Sequence, residues 1–351
     1  MFRLAKSGEE AVSNMNEENQ IVLAMAPGSE VSRLGILVVY FLKDEGAIPL
    51  LALHLDRIEM HTKVPYTLYA VANRVSKTAW KMISERPNVK IVEPPLTSLR
   101  ASSEHGYYLD AMLAVALSDG VSHICTLDVD SFPISDTWVD ILVNAAPEES
   151  GLSGILRAEN GDVALPHPSC ILARRDFFER FTPSFSPDSN MTPNFRTFLH
   201  STGQSADTGI RIGYTLWQNQ LPWGILLRTN TRNPHFLMAG IYGDIVFHLG
   251  SAGREHASRQ DFKHSFMHRV SSPIKRFRFS GPRSRKLQQA LLRFARGDVD
   301  KHILTRNTQV FLLLQHQLVT NPDALLGYLQ GSEPLGASTE LASIDSRESK
   351  R

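Results

Sequence analysis

The sequence predicts an α/β fold with a mostly parallel central sheet. Three observations predict it. Apolar runs of strand length alternate with stretches whose apolar residues recur at helical spacing. The first such run, Leu34 to Leu42, is strongly apolar and closes in a polar turn, Lys43-Asp44-Glu45-Gly46. A later run, Val121 to Leu127, has the length of a buried strand, ends in Asp128-Val129-Asp130 and precedes a helical pattern at Trp138, Ile141 and Leu142.

Each element follows in order. Leu51, Leu55 and Ile58 mark one face of a helix after the first turn. Tyr66 to Val71 reads as a second strand, ending at Asn73-Arg74. Ser76 is placed to cap a helix through Trp80 and Ile83. Val89 to Val92 is a short third strand, closed by Pro94-Pro95. Leu109, Met112, Leu113, Ala116 and Leu117 then line a helix before the acidic strand. After Ala145 the pattern becomes mixed. Leu152 to Arg157 and Asp162 to Leu165 flank Asn160-Gly161, a hairpin signal. Ser169 to Ala173 reads as a strand and the Pro-, Ser- and Asn-rich stretch Phe181 to Thr202 as a loop. Ile210 to Trp217 reads as a helix, Leu226 to Thr229 and Ile245 to His248 as strands, and Leu287 to Leu318 as helical with a break near Gly297.

Composition bounds the function. With 351 residues and a formal charge of +1, the chain can bury a large core and is not built as a dedicated nucleic-acid binder. Its two cysteines, Cys125 and Cys170, lie in apolar strand-like runs and read as reduced core residues. Met1 to Gln20 lacks the apolar stretch of a signal peptide, and no run reaches membrane-spanning length, so a cytoplasmic protein is expected. From Lys263 to Arg296 there are many basic residues and no acidic ones. Lys275, Arg276, Arg278, Arg283, Arg285 and Lys286, with Phe277 and Phe279 between, fit a diphosphate, an anionic lipid surface or nucleic acid, or else a solvated cationic face.

Asp128 and Asp130 carry the most chemistry. Alternate strand residues point the same way, so this spacing aims both carboxylates at one place. Ligands bind beyond the carboxyl ends of strands in open α/β sheets. Hard oxygen ligands there suit Mg²⁺ or Mn²⁺, which bridge to substrate phosphates. The other meaning is a pair of solvated carboxylates at a turn, which is a poor place for two uncompensated like charges.

Four stretches together resemble the GT-A fold glycosyltransferases: Val38-Val39-Tyr40-Phe41-Leu42-Lys43-Asp44-Glu45, Glu104-His105-Gly106-Tyr107-Tyr108-Leu109-Asp110, Leu127-Asp128-Val129-Asp130-Ser131-Phe132-Pro133 and Gly243-Asp244-Ile245-Val246-Phe247-His248-Leu249-Gly250. The similarity covers roughly residues 34–250. It implies a GT-A-like, Rossmann-like sheet with a mixed second half and C-terminal helices. It also implies transfer of a sugar from a nucleotide-diphosphate donor, UDP- or GDP-linked, to a carbohydrate or small-molecule hydroxyl. The parts then read as a disordered tail (1–20), a nucleotide-sugar-binding half (21–150), an acceptor and metal half (151–262), a basic helical appendage (263–331) with peripheral membrane contact through 263–296, and a second disordered tail (332–351).

The resemblance assigns residues as well. Asp130 is the main metal ligand, Asp128 touches the donor ribose or the metal, and His248 completes the metal site or is a satisfied core or surface histidine. Asp44, Glu45, Asn73, Arg74 and His105 fall on the nucleotide side, and Asn73-Arg74 also reads as a plain turn. Carboxylates after the first strand can accept from a base N–H or a ribose hydroxyl, and they also suit a helix entry. Asp207 stands before a helix, as its cap, as a general base, or as a group that binds the transferred sugar. Trp217 and Trp223 bracket amide side chains, which suits a sugar as well as a core. His167, between two prolines, lines the acceptor side or a structural loop. Two rival readings stand beside this one. The first is a nucleotidyltransferase, which usually needs a Gly-rich basic loop after the first strand, where Lys43 stands alone. The second is a non-catalytic protein using its basic segment on a membrane or RNA.

Overall fold

The computed structural model describes residues 30–42, 45–163, 165–187, 191–250 and 303–332. Asp44, the basic segment 263–296 and the tail 1–20 lie outside the described residues, as does the tail 332–351 beyond Ser332. Every described residue but Glu30 belongs to one unit, Val31–Arg351.

Strand β1 (Leu34–Tyr40) is buried along its whole length. Its side chains alternate between two faces, as strand geometry requires. Leu34, Ile36, Val38 and Tyr40 join one apolar cluster, and Leu37 and Val39 join another. Helices cover both. On the first face lie α1 (Ile48–His61), α2 (Lys77–Ser84) and α4 (Trp138–Ala145), through Leu51, Leu55, Ile58, Ile83 and Trp138. On the second lie α3 (Ala101–Ser118), α5 (Arg175–Phe181) and α7 (Ile210–Gln218), through Leu109, Met112, Phe177 and Ile212. Ser76 caps α2 as expected, accepting from the Ala79 N–H at 3.2 Å.

The other strands of this sheet are β2 (Tyr66–Ala72), β3 (Val89–Ile91), β4 (His123–Leu127), β6 (Leu152–Ile155), β7 (His167–Arg174) and β8 (Gly224–Leu226). Their order is β3-β2-β1-β4-β7-β6-β8. Among the described residues, four neighbouring pairs are parallel, and only β7 runs antiparallel to its neighbours. The α/β class with a mostly parallel sheet and a mixed second half is therefore what the chain adopts. Cys125 and Cys170 are free and buried on the adjacent strands β4 and β7.

A second sheet joins β5 (Ser131–Pro133), β10 (Val246–His248) and β9 (Gly240–Tyr242), in that order. Its apolar side meets the C-terminal helices α8 (303–320) and α9 (Pro322–Gln330). Phe132, Ile241, Phe247, Leu314, Leu318, Leu325 and Leu329 form this cluster with Leu50 of α1. The C-terminal helices thus pack on the core. Among the described residues, no helix is long and apolar enough to cross a membrane.

Four local expectations are corrected. Asn160-Gly161 does not turn a tight hairpin. A 3-10 turn (Ala158–Asn160) ends there with Gly161 left-handed, at φ 84°, and the antiparallel partner of β6 is β7. Asp162, Val163 and Leu165 are not in a strand, and Leu165 is taken by a separate cluster with Phe195, Phe198 and Ile210. The expected loop Phe181 to Thr202 contains helix α6 (Pro193–Thr202), started by a Thr192 cap and a proline in its first turn. The strand expected from Leu226 to Thr229 ends at Leu226, and Arg228 makes only an isolated bridge to Tyr242.

Candidate metal centre at the sheet edge

β4 ends at Leu127, and the chain turns there. The Ser131 N–H donates to the Asp128 carbonyl at 2.9 Å and closes the turn. Asp128 and Asp130 lie in this turn, not on the strand, so the turn rather than strand alternation brings them together. β5 follows at once and pairs with β10, which sets His248 opposite Ser131. The Leu249 N–H then donates to the Asp130 carbonyl at 2.9 Å.

Asp128, Asp130 and His248 each offer one ligand atom, and these atoms lie within 4.8 Å of one another. His248 Nε2 is 3.5 Å from Asp130 Oδ1 and 3.8 Å from Asp128 Oδ2. Asp130 and His248 are each 5% exposed, while the Asp128 side chain is 22% exposed, so the group opens to solvent on the Asp128 side. Two carboxylate oxygens and an imidazole nitrogen fit a divalent cation.

Neighbouring groups hold this arrangement. His54 is fully buried below the turn, with Nδ1 2.8 Å from the Ser131 carbonyl and Nε2 3.3 Å from the Tyr40 hydroxyl. Burial pushes its pKa down to about 4, so it is a neutral ring that donates to Ser131 and accepts from Tyr40. The Ser131 hydroxyl donates to the Ser169 carbonyl at 2.7 Å. Ser169 in turn engages His167 Nδ1 through its hydroxyl (2.8 Å) and its N–H (3.2 Å). The His167 ring lies 5.6 Å from that of His248, centre to centre. His167 therefore belongs beside the acidic group.

Of the nucleotide-side candidates, His105 and Arg74 meet at α3, while Asn73 and Glu45 lie apart from it. His105 Nε2 is 3.9 Å from Asp128 Oδ1. Next to it, the buried Glu104 receives two hydrogen bonds from Arg74, at 3.0 and 2.9 Å. Arg74, two residues after β2, is in a left-handed conformation (φ 58°) and lies over the Phe41 ring. The Asn73 N–H donates to the Tyr40 carbonyl at 2.8 Å, which ties the ends of β1 and β2 together. Glu45 lies on an exposed 3-10 turn and accepts from Thr78 at 3.4 Å.

Asp207 faces α3 as well. Its Oδ1 accepts from the Ser102 hydroxyl and, at 2.8 Å, from the Thr208 N–H. It is not the cap of α7, whose N-cap is Gly209. The tryptophans lie among aromatic and apolar groups. Trp217, 43% exposed, stacks on Tyr214 and packs on Phe198, while Trp223 packs on the α3 side of the sheet.

Sequence reasoning missed Arg157 and Asp162, which lie in the segment it read as a hairpin. The Arg157 side chain is 13% exposed, donates to the Leu237 carbonyl at 3.2 Å and pairs with Glu159 at 3.7 Å. Burial works against its charge, but Tyr242, Glu159, Asp162 and Asp130 outweigh it and raise its pKa. Burial lifts the Asp162 carboxyl to about 6, against the pull of Arg157. The signal available was three charged residues within Arg157-Ala158-Glu159-Asn160-Gly161-Asp162, a density that a surface turn does not require.

No protein-family model matches the sequence, and no curated protein matches it. Solved structures similar to this chain include a mannosyltransferase from Pyrobaculum calidifontis in complex with GDP-Man and Mn²⁺, at 14% identity and TM-score 0.40, over 93% of this chain and 87% of that one. TarS of S. aureus, in complex with UDP-GlcNAc, is 12% identical at TM-score 0.32, over 44% and 48%. The galactosyltransferase LgtC, in complex with donor and acceptor sugar analogues, is 9% identical at TM-score 0.36, over 72% and 99%. Likenesses of this size leave the chemistry to be read from the residues themselves.

Proposed function

We propose that this chain transfers a sugar from a UDP- or GDP-linked donor to an acceptor hydroxyl, with Mn²⁺ or Mg²⁺ held by Asp128, Asp130 and His248. The convergence of these three side chains at the carboxyl end of β4 carries the reading. The imidazole favours Mn²⁺ over Mg²⁺, which prefers an all-oxygen shell. When bound there, the cation neutralises a diphosphate leaving group. Asn73, Arg74 and His105 border the nucleotide side. The Glu104–Arg74 pair fixes that border, since a bidentate guanidinium holds both position and plane. Asp207, held by Ser102 and Thr208, is the candidate to accept the acceptor's proton if configuration inverts. His167 keeps the His248 ring in place from the side.

Product analysis tests the reaction type. Incubation with UDP- and GDP-hexoses, Mn²⁺ and mixed sugar acceptors releases a nucleoside diphosphate. Asp130→Ala lowers the rate on the order of 10³-fold while the protein stays folded, since metal charge stabilisation is worth several kcal/mol. Pyrophosphate release from a sugar phosphate and a nucleoside triphosphate, or an unchanged rate in Asp130→Ala, refutes the assignment.

A further inference from the structure

Two buried atoms in the segment after β6 have no hydrogen-bond partner among the described residues. One is Nε of Arg157, a donor; the other is Oδ2 of Asp162, an acceptor. Arg157 gives its ion pair to Glu159, at 3.7 Å, and not to Asp162. Asn160 supplies a hydrogen bond to the Asp162 carboxylate, but Oδ2 receives none, and the residue is only 9% exposed. Folded chains seldom leave a charged donor and a charged acceptor unmet and buried in one short segment. A hydroxyl answers both at once, because it accepts one hydrogen bond and donates another.

The surroundings say which hydroxyl. Arg157 donates to the Leu237 carbonyl beside Gly250, two residues after His248, and Gln204, three residues before Asp207, donates to the Gly161 carbonyl next to Asp162. Asp207 is bonded to Ser102 at the start of α3, and one turn later His105 reaches Asp128. Asp128 and Asp130 meet at His248. These contacts put the polar groups in one neighbourhood at the sheet edge. Arg157 and Asp162, joined by the Asp162 N–H to the Arg157 carbonyl at 3.3 Å, lie with Arg157 toward His248 and Asp162 toward Asp207. On the function proposed above, Asp130 marks the diphosphate and Asp207 the acceptor. The group between those two is the transferred sugar.

We propose that Arg157 and Asp162 bind one hydroxyl of the transferred sugar and so decide which sugar is accepted; this rests on the glycosyl-transfer reading. A site built to bond a hydroxyl rejects the analogue lacking it by about 10⁴-fold. The deoxy analogue at that position is therefore excluded, and a hexose that presents the hydroxyl is retained.

Calorimetric titration in Mn²⁺ tests this with UDP, GDP, UDP-glucose, UDP-galactose, UDP-GlcNAc and GDP-mannose. The wild type gains affinity when the matching sugar is attached. Asp162→Asn, which preserves shape, keeps the wild-type affinity for the bare nucleotide and loses about tenfold or more of the gain from the sugar, the worth of a charged hydrogen bond. Arg157→Lys, which keeps charge without the fork, loses it too, and thermal melting checks that both variants are folded. Equal weakening of nucleotide and nucleotide-sugar, no weakening of either, or no gain from any sugar in the wild type overturns the subsite. Unchanged nucleotide-sugar affinity with a raised acceptor KM moves the pair to the acceptor and also overturns it. Absence of any nucleotide binding in the wild type instead removes the glycosyl-transfer reading, and the subsite falls with it.

Discussion

The β3-β2-β1-β4 half of the central sheet is parallel throughout, while β7 reverses direction in the β7-β6-β8 half. In the parallel half every strand arrives at the same edge with its carboxyl end. That edge receives Phe41, Asn73, Arg74 and Asp128 from β1, β2 and β4. In the other half, β6 delivers Arg157 and Asp162 beyond its carboxyl end, but β7 delivers His167 at its amino end, opposite the end of β4. Both halves serve one edge by different means. The site follows the edge of the sheet rather than the direction of any strand.

The second sheet adds what the first cannot, because His248 reaches Asp130 only through the pairing of β10 with β5. Phe247→Ala breaks that support from within, since Phe247 is fully buried between Phe132 and the C-terminal helices. The expected loss is about 3–5 kcal/mol by denaturant titration, with Mn²⁺ affinity falling as well. Leu55→Ala, in the α1 face of the parallel half, costs about 2–5 kcal/mol and leaves Mn²⁺ affinity intact. If both variants lose metal equally, the two sheets are not separable in this way.

A smaller effect comes from acid. His54 and His123 are both held down to about 4 by burial, with Arg174 adding to the effect at His123. Unfolded, they take up protons below about 6.5. The unfolded chain therefore binds more protons between about 6.5 and 4, and stability falls as pH falls through that window. For His54 the full loss is on the order of 3 kcal/mol at about 1.36 kcal/mol per pKa unit. His54→Gln keeps a polar side chain at the Ser131 carbonyl and is expected to flatten the slope in urea melts at pH 7, 5.5 and 4.5. An unchanged slope contradicts the neutral, buried ring.

Much of the parallel half was legible because buried strands write themselves as apolar runs, as Leu34–Tyr40 does, and because Ser76 carries a cap signature. His248 was visible through its own short apolar strand and the glycine after it. The turn at Asn160-Gly161 was misread because the dipeptide fixes local backbone shape and says nothing of which strand comes next. Arg157 stayed hidden for a related reason. Its burial depends on Tyr242, Glu159 and Asp130, partners that only the folded chain supplies. Strands of three residues, such as β5 and β9, are too short for an alternation to show.

Calorimetric titration of GDP and UDP into the protein, in Mn²⁺ and again in a chelator, tests the central claim most directly. One of the two nucleotides is expected to bind in Mn²⁺, to lose its binding in chelator, and to lose it in Asp130→Ala under either condition. Binding of equal strength in chelator, or in Asp130→Ala, would contradict a cation held by Asp128, Asp130 and His248.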